Sequence, residues 1–448
     1  MNNWHMRKIV YWQFGIGLLL HLGFLAGLYL SEVSYANLQI PVHEYQYNIW
    51  QCNDVMTYVN PAKNYLATGV FGTGTTPDHF RTIGYPALLA FFMYFFGTYW
   101  LFALQVFQAV VFACIYPLLS ATIRVLLPLH SERFMHFIFV VLCLSGVYFT
   151  RVPVVLTDTL FTGLFIAGFY WGLRWYITSK KGHLFLYLLC IGLAALIRPT
   201  LGLFPLLNLA LGYWVAKKYH YPVRQKLIHS ALVSLVLLGL INISTLRNCQ
   251  NHSFCSPSSV IGYNALEYLG KKILTMEHQT QVLDSVRAKI ASTPSITAKT
   301  QMRKQAMLQS ILRYPSSTFK ILFKNTLNVF LSNHLVSGIA NYYDFEWKKF
   351  SNACHAYRLS PVLAALTYFF MFCYALLWLL FAAKTMALLL TRDFETLLLL
   401  GLLLVMLILP AVLTGDGGSR FRLPFEHFLV VYGFSVLFRV REYPKIAH

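Results

Sequence analysis

Apolar runs close to the length of a membrane span recur along the whole chain. A helix needs about 20 predominantly apolar residues to cross the hydrocarbon core of a bilayer. The sequence is 57% hydrophobic and only 12% charged, whereas soluble domains average about 25% charged residues. We therefore predict an all-α polytopic membrane protein with spans at 9–30, 99–123, 134–150, 154–176, 183–197, 199–216, 226–246, 361–390, 396–413 and 422–440.

Basic residues set the predicted orientation. Arg7 and Lys8 place the N-terminus inside, and the run after them exceeds the roughly 7 to 15 residues of a signal-peptide core, so we expect an uncleaved first span. Alternating the runs puts every short basic cluster on the cytoplasmic side, as the positive-inside rule requires. The formal charge of +20 is thus explained by topology, with no nucleic acid partner, and both termini are expected on the cytoplasmic side of the inner membrane.

Two long external regions divide the chain. We expect an N-terminal membrane module over 1–246, an external basic helical loop over 247–359 and C-terminal membrane helices over 360–448. The first external loop, 31–98, ends in GYPALLAFFMYFFG. This apolar stretch is too short to cross a bilayer comfortably, and it is predicted as an in-plane or re-entrant helix.

The second external region carries fourteen Lys/Arg against five Asp/Glu, which is permitted because long loops translocate largely regardless of charge. Its part 262–312 has helical composition, and 316–340 is amphipathic. We favour an interfacial helix for 316–340 over an eleventh span, which would break the alternation of charge. Cys249 and Cys255 are either a small disulfide, if the outside is oxidising, or two thiols.

The polar stretch 51–86 in the first loop is not explained by membrane insertion. Asp54 precedes VMTYVNPAKNYLATG, in which apolar residues recur at helical spacing and Gly69 is a candidate C-cap. Asp54 is then next to the N-terminus of a short helix, where the helix dipole keeps a carboxylate ionised and able to accept a proton. The alternative is that Asp54 serves as an N-cap.

Other ionisable residues are expected at the outer ends of the spans. Asp158, near the external end of the fourth predicted span, is either a functional carboxylate or a residue of the first helical turn. Arginines there either extend toward headgroups or share one bound anion, since guanidinium groups bind phosphate through two hydrogen bonds. They are Arg81, Arg151, Arg198, Arg247, Arg420 and Arg422.

The sequence contains no Walker loop, no GxGxxG and no HExxH motif. A nucleotide-dependent activity in the cytosol is therefore unsupported. An activated substrate that reaches the outer leaflet is a lipid phosphate. A base, phosphate-binding arginines and apolar helices together describe transfer from a lipid-phosphate donor to a hydroxyl or amine.

Several motifs resemble the glycosyltransferase family 39 group of GT-C membrane glycosyltransferases, which includes protein O-mannosyltransferases and lipid A aminoarabinose transferase. The resemblance follows the family's order along nearly the whole chain. It is carried by NDVMTYVNPAKNYLATGVFG and RTIGYPALLAFFMYFFG in the first loop, then by LTDTLF (156–161), GLAALIRPTLGLFPL (192–206), LRNCQNHSFCSPSSVIGYNALEY (246–268) and RFRLPFEHFLVV (420–431).

The resemblance implies a GT-C fold of about 10–11 transmembrane helices with external juxtamembrane helices in the first loop. It also implies inverting transfer from a polyprenyl-phosphate sugar to a lipid, glycan or protein acceptor at the periplasmic face. Asp54 matches the family's catalytic base and Asp158 its second acid. Candidates for the donor phosphate are Arg81, Arg247, Arg420 and Arg422, and candidates to line the pocket are Tyr58, His79, Tyr85 and Arg198.

The chain departs from the family at two points. Val55 follows Asp54 where many members have a second carboxylate, and no large C-terminal domain follows the last span, so the acceptor stays undetermined. The family is mixed in its metal dependence, and the only local cluster is Asp78-His79. No metal ligand and no cofactor is therefore assigned.

Two alternatives remain open. An O-antigen polymerase or ligase also uses outer-leaflet lipid-linked sugars, but its key loop lies later in the chain. A flippase or transporter is expected to show repeat symmetry and ionisable residues at mid-span, whereas the charged residues here cluster at the span ends.

Overall fold

The apolar runs fold into long helices. The computed structural model describes residues 3–35, 54–127, 132–144, 152–252, 254–331, 361–414 and 423–437. Its helices are α1 (Asn3–Tyr35), α2 (Met56–Thr68), α3 (Gly84–Phe96), α4 (Trp100–Leu126), α5 (Glu132–Leu144), α6 (Asp158–Thr178), α7 (Lys181–Ile197), α8 (Phe204–Lys218), α9 (Val223–Ile241), α10 (Ile243–His252), α11 (Val260–Asn264), α12 (Lys271–Met276), α13 (Thr280–Ser292), α14 (Ile296–Arg313), α15 (Pro315–Leu331), α16 (Pro361–Leu390), α17 (Phe394–Thr414) and α18 (Leu423–Phe434).

Short elements join some of these helices. Gly97–Tyr99 and Pro199–Leu203 are 3-10 turns, and Ala265–Gly270 is a π-helical turn between α11 and α12. One antiparallel hairpin, β1 (Gly72–Thr73) with β2 (Thr76–Pro77), follows α2. The architecture of the described residues confirms the predicted all-α class.

Five segments of the described residues are long and apolar enough to cross a membrane. They are Lys8–Gly27, Gly84–Leu126, Pro199–Lys218, Val223–His252 and Met371–Leu390, and two shorter apolar helices lie at Lys181–Ile197 and Phe394–Met406. The chain is therefore a helical membrane protein. The count of ten or eleven spans, their orientation and the GT-C fold stay predictions.

The segment Gly84–Leu126 is two helices folded against each other rather than one long span. Helix α3 ends at Gly97, whose φ of 53° lies in the left-handed region that glycine adopts without strain. The rings of Phe92 in α3 and Phe107 in α4 then meet at 5.5 Å. With 13 residues, α3 is about 20 Å long, shorter than the roughly 30 Å hydrocarbon core, as expected for an in-plane or re-entrant helix.

Small residues let the central helices approach closely. A side chain at Gly168 of α6 would place its Cβ 2.5 Å from Ile191 of α7, and one at Gly172 would lie 3.0 Å from the Tyr187 ring. Close backbone approach at small residues is the usual basis of helix association in lipid. Helix α6 also contacts α4, and α8 contacts α9 and α17, so these helices form one continuous bundle.

A buried amide joins four helices of this bundle. Asn208 of α8 is fully buried, and its Oδ1 accepts hydrogen bonds of 2.7 Å from the hydroxyls of Tyr176 and Tyr187. Its Nδ2 donates to the carbonyl of Ser230 and to the hydroxyl of Ser234, both at 2.9 Å. These bonds use both donors and both acceptor positions of the amide, which makes the crossing of the four helices specific.

Within the described residues of 247–331, the region predicted as the second external one is helical and has small cores of its own. One contains Leu266, Leu274 and Leu283, and a second joins Ile273 to Ile321 of α15. Helix α15 contacts α16 and α17, while Phe319, Phe323 and Leu327 form an exposed apolar stripe along it. The interfacial position of α15 stays a prediction, and 332–340 lie outside the described residues.

Candidate active site

Helix α2 presents Asp54 as the sequence predicts. The helix begins at Met56 and ends at Gly69, whose φ is 76° and whose amide donates to the carbonyl of Tyr65, confirming the predicted C-cap. Val55, not Asp54, occupies the N-cap position. The backbone carbonyl of Asp54 accepts a 3.0 Å bond from the Thr57 amide, so the start of the helix fixes Asp54 through its backbone.

A hairpin brings the chain back toward α2. The Asn64 side chain exchanges hydrogen bonds of 2.8 and 2.9 Å with the backbone of Gly74, and the rings of Tyr65 and Phe71 stack at 4.0 Å. The amide of Asp78 then donates to the carbonyl of Phe71 at 2.7 Å. The residues that follow therefore start from a fixed point beside α2.

Residues 78–81, here called the first-loop turn, carry Arg81. The Asp78 carboxylate accepts from the backbone amides of Phe80 at 2.8 Å and Arg81 at 3.1 Å. This is the local side-chain-to-backbone bonding by which aspartate stabilises a turn. Asp78 is thus engaged in shaping the backbone that presents Arg81.

Asp54 and Arg81 form an ion pair. Nη2 of Arg81 donates to Oδ1 of Asp54 at 2.5 Å, and the exposed fractions of the two side chains are 12% and 31% respectively. The Asp54 carboxylate is therefore accessible to solvent, while the Arg81 guanidinium is largely covered by protein. Charge-assisted hydrogen bonds of this kind are short and roughly twice as strong as neutral ones.

Arg81 is held from two further sides. Its Nε donates to the hydroxyl of Thr57 at 2.9 Å, and its Cζ lies 4.6 Å from the centre of the Tyr58 ring. The buried Tyr85 packs edge-on against Tyr58 at 5.3 Å. Two predicted pocket residues, Tyr58 and Tyr85, therefore support Arg81, and Thr57 joins them.

A second ion pair forms between Asp158 and Arg198. Asp158 stands at the start of α6 and Arg198 follows α7 in extended conformation. Their Nη1–Oδ1 distance is 3.0 Å, with 1% of the Asp158 side chain and 11% of the Arg198 side chain exposed. The Arg198 guanidinium also faces the Phe161 ring at 5.5 Å. Asp158 lies in the first turn of α6, as one of the two alternatives had it, and its functional role stays a prediction.

The two ion pairs are joined by one backbone contact. The hydroxyl of Thr82 donates to the carbonyl of Ile197 at 3.0 Å, and each residue is the chain neighbour of one of the paired arginines. Next to this bond, a Cβ on Gly84 would lie 2.6 Å from the carbonyl oxygen of Leu196. The end of the first loop is therefore packed directly on the end of α7.

Arg247 lies within α10, although the sequence suggested that it opens a loop. Its Nη2 donates to the carbonyl of Asp78 at 2.7 Å and to that of Arg81 at 3.4 Å. Cys249 and Cys255 are joined by a disulfide. Beyond it, Ser258 and Ser259 also bond to the first-loop turn.

His79 is half-buried between the first-loop turn and residues 252–259. Its Nδ1 is 2.9 Å from the hydroxyl of Ser259, and its ring meets that of His252 edge-on at 5.2 Å. Burial lowers the pKa of His79 below the usual histidine value; Asp78 opposes the shift, and His252 and Arg247 add to it. A neutral imidazole at neutral pH suits a hydrogen bond rather than an ion pair.

The structure brings most of the predicted site residues to one end of the bundle. Asp54, Arg81, Tyr58, Tyr85 and Arg247 form one contact network, which reaches Asp158 and Arg198 through Thr82 and Ile197. His79 lies in the same turn, and its side chain contacts Ser259 and His252. Arg420 and Arg422 lie outside the described residues, as does Arg151. Within the described ranges, no group of three metal-ligating side chains is present.

The sequence did not single out Thr57, Asn248, Ser258 or Ser259. Their roles depend on contacts with residues far along the chain or with the backbone, which have no local signature. The Ser-Pro-Ser-Ser run at 256–259 carries a weak signal, since such loop residues often bond to backbone groups.

Comparisons of the chain with protein-family profiles, with curated proteins and with solved structures give no match. The chemistry of this site is therefore argued from its own geometry.

Proposed function

We propose that this chain is an inverting GT-C-type glycosyltransferase of the inner membrane, transferring a sugar from a polyprenyl-phosphate donor to an acceptor at the outer face. The observation that carries the proposal is the Asp54–Arg81 pair. It combines a reachable carboxylate with a covered guanidinium beside apolar helices. A base and an anion-binding group are the two parts that this transfer requires.

Asp54 acts as the general base. Its carboxylate takes the proton from the acceptor hydroxyl or amine as that oxygen or nitrogen forms a bond to the anomeric carbon. The bond from this carbon to the phosphate oxygen breaks at the same time, and its electron pair leaves with the polyprenyl phosphate. One displacement of this kind inverts the configuration at the anomeric carbon.

Arg81 stabilises the charge that develops on the leaving phosphate. A guanidinium has five N–H donors, and Asp54 and Thr57 receive two of those of Arg81. Within the described residues, the other N–H groups of Arg81 remain available to phosphate oxygens. A preorganised donor aimed at developing charge contributes most in the transition state, and the support from Thr57 and Tyr58 supplies this preorganisation.

Asp158 and Arg198 act as the support of this site. Asp158, with 1% of its side chain exposed, has little access for a substrate, and the Thr82–Ile197 bond links the pair to the backbone beside Arg81. Arg420 and Arg422 remain proposed partners of the donor phosphate on the resemblance alone.

Asp54→Asn tests the proposal. Removing a general base lowers the rate by roughly 10²- to 10⁴-fold, measured as transfer from radiolabelled polyprenyl-phosphate sugars in proteoliposomes. Glu132→Gln is the matched control, because this carboxylate lies at the start of α5 and pairs with Arg124. Near wild-type transfer by Asp54→Asn would show that the base is another group. Movement of the lipid across the bilayer without consumption of the sugar would identify a transporter instead.

A further inference from the structure

All four backbone carbonyls of the first-loop turn accept hydrogen bonds from residues 247–259, here called the brace. Arg247 bonds the carbonyls of Asp78 and Arg81. The amide of Ser259 bonds the carbonyl of His79 at 3.0 Å, and the hydroxyl of Ser258 bonds that of Phe80. The turn that presents Arg81 is therefore held by a segment more than 160 residues further along the chain.

The brace is also bonded internally, with Asn248 at its centre. Nε and Nη2 of Arg247 donate to Oδ1 of Asn248 at 3.1 and 2.7 Å. Nδ2 of the fully buried Asn248 donates to the carbonyls of Ser256 at 2.8 Å and Pro257 at 3.2 Å. The Cys249–Cys255 disulfide closes the loop between the two halves.

We propose that Arg247 and Asn248 are positioning residues that act through Arg81, and that the Cys249–Cys255 disulfide holds them in place. This rests on the proposed function, in which Arg81 binds the donor phosphate. Arg247 thereby takes a different role from that of a direct phosphate ligand.

The geometry favours positioning over direct binding. Arg247 directs Nε and Nη2 at three oxygen acceptors of the protein itself. If these N–H groups turned toward a phosphate, three oxygens would lose their donors: the carbonyls of Asp78 and Arg81 and the side-chain Oδ1 of Asn248. A buried acceptor that is left without its donor is costly, so Nε and Nη2 of Arg247 are held to the turn and to Asn248.

A double-mutant cycle separates the two roles. We expect Arg247→Met to lower kcat/KM for the donor by about tenfold or more in the wild-type background and by less than about twofold in an Arg81→Ala background, because residues that act as one unit are non-additive. Two independent losses that multiply would show that Arg247 contacts the donor itself, and would overturn the proposal.

Arg247→Lys is the matched variant. Lysine keeps the positive charge but lacks the planar fork that reaches two carbonyls and an amide at once. A positioning role predicts a loss close to that of Arg247→Met. Retention of most of the activity would favour simple attraction of an anion and contradict the proposal.

Hydrogen exchange provides a readout that does not depend on transfer. Amides to follow are those of Phe80, Arg81 and Ser259, all bonded in the turn or the brace. In the full chain in lipid nanodiscs, Arg247→Met should raise their exchange rates by about tenfold or more, since exchange reports local opening. Unchanged exchange rates in Arg247→Met would overturn the proposed role of the brace, whatever the transfer assay shows.

Reduction of the folded protein tests the disulfide without relying on the folding of a variant. Dithiothreitol converts Cys249–Cys255 to two thiols and is itself oxidised to a cyclic disulfide. We expect it to raise the same exchange rates in the wild type and to change nothing in Cys249→Ser/Cys255→Ser. Equal responses in both proteins would exclude this disulfide. A rise in exchange with no transfer from any donor would refute the proposed function and leave the brace standing.

Discussion

Two Asp–Arg pairs stand at the same end of the bundle and differ mainly in the solvent access of the carboxylate, since their arginines are almost equally covered. Asp54, paired with Arg81, has 31% of its side chain exposed, whereas Asp158, paired with Arg198, has 1%. The first pair lies on a loop and is supported by Thr57 and Tyr58. The second pair joins the start of α6 to the end of α7.

This difference separates a chemical from a structural use of the same two residue types. The partly exposed Asp54 carboxylate keeps part of its solvation, so its charge is not stranded when Arg81 is removed, and it is available to a substrate. A buried pair has lost its solvation, so removing one partner leaves an uncompensated charge. The pairs should therefore respond in opposite ways to neutralisation.

Arg198→Met should have the largest effect, on stability. Leaving the Asp158 carboxylate buried without its partner costs about 3–5 kcal/mol, measured by unfolding in mixed detergent micelles. Adding Asp158→Asn removes the orphaned charge and should recover much of the loss. A cost below about 1 kcal/mol would place this pair in the same class as the exposed one.

Arg81→Met should act on the rate instead. Loss of one preorganised donor to developing charge lowers kcat by about 10²- to 10³-fold, while the free energy of unfolding changes by no more than about 1 kcal/mol. Transfer assays and unfolding on the same preparations check both numbers. A large loss of stability with a proportionate loss of rate would remove the distinction between the pairs.

Thr57→Val should have a smaller effect on the rate. It removes the acceptor of the Arg81 Nε bond at nearly constant shape, and a hydrogen bond to a charged group is worth about 1.5–3 kcal/mol. A fall of about tenfold or more in kcat/KM for the donor is expected. Thr57→Ser keeps the hydroxyl and should restore most of the rate; failure of this rescue would mean that the methyl group, not the bond, matters.

His79 should give the smallest effect, a dependence of stability on pH. Its pKa is lower in the folded protein than in the unfolded chain, mainly through burial, so the unfolded state binds more protons below about pH 6.5. The stability that the neutral ring contributes is complete above that pH and is lost as the pH falls. Wild type should lose more stability than His79→Gln between about pH 7.5 and 5.5; equal losses would show that His79 is not the group responsible.

The sequence pattern predicted those parts of the site that depend on residues adjacent in the chain. The spacing after Asp54 and the glycine at 69 were sufficient for α2 and its C-cap, because helix periodicity and a left-handed cap are properties of adjacent residues. Asp158 was expected near the end of a span for the same reason. The apolar stretch that ends at Gly97 was separated from the span at 99–123 because it is too short to cross a bilayer, and the end of α3 at Phe96 agrees with that boundary.

The partners of these residues were not predictable in the same way. Arg81 was singled out as a phosphate ligand and Arg198 as a pocket residue, but their carboxylate partners lie 27 and 40 residues away. Arg247 was singled out for its position, and only tertiary packing directs its donors to the carbonyls of Asp78 and Arg81. Spacing in the chain carries no information about contacts that depend on how helices pack.

The distance between the first-loop turn and the brace also sets an order of events during synthesis. His79 and Ser259 are 180 residues apart, and translation at about 5–20 residues per second takes on the order of ten to forty seconds to cover that length. Asp54 and Arg81 are both synthesised long before the brace exists. A ribosome-bound chain that stops short of Ser259 would therefore carry the whole first loop and still lack its final geometry, so maturation of this site waits on late segments of the nascent polypeptide.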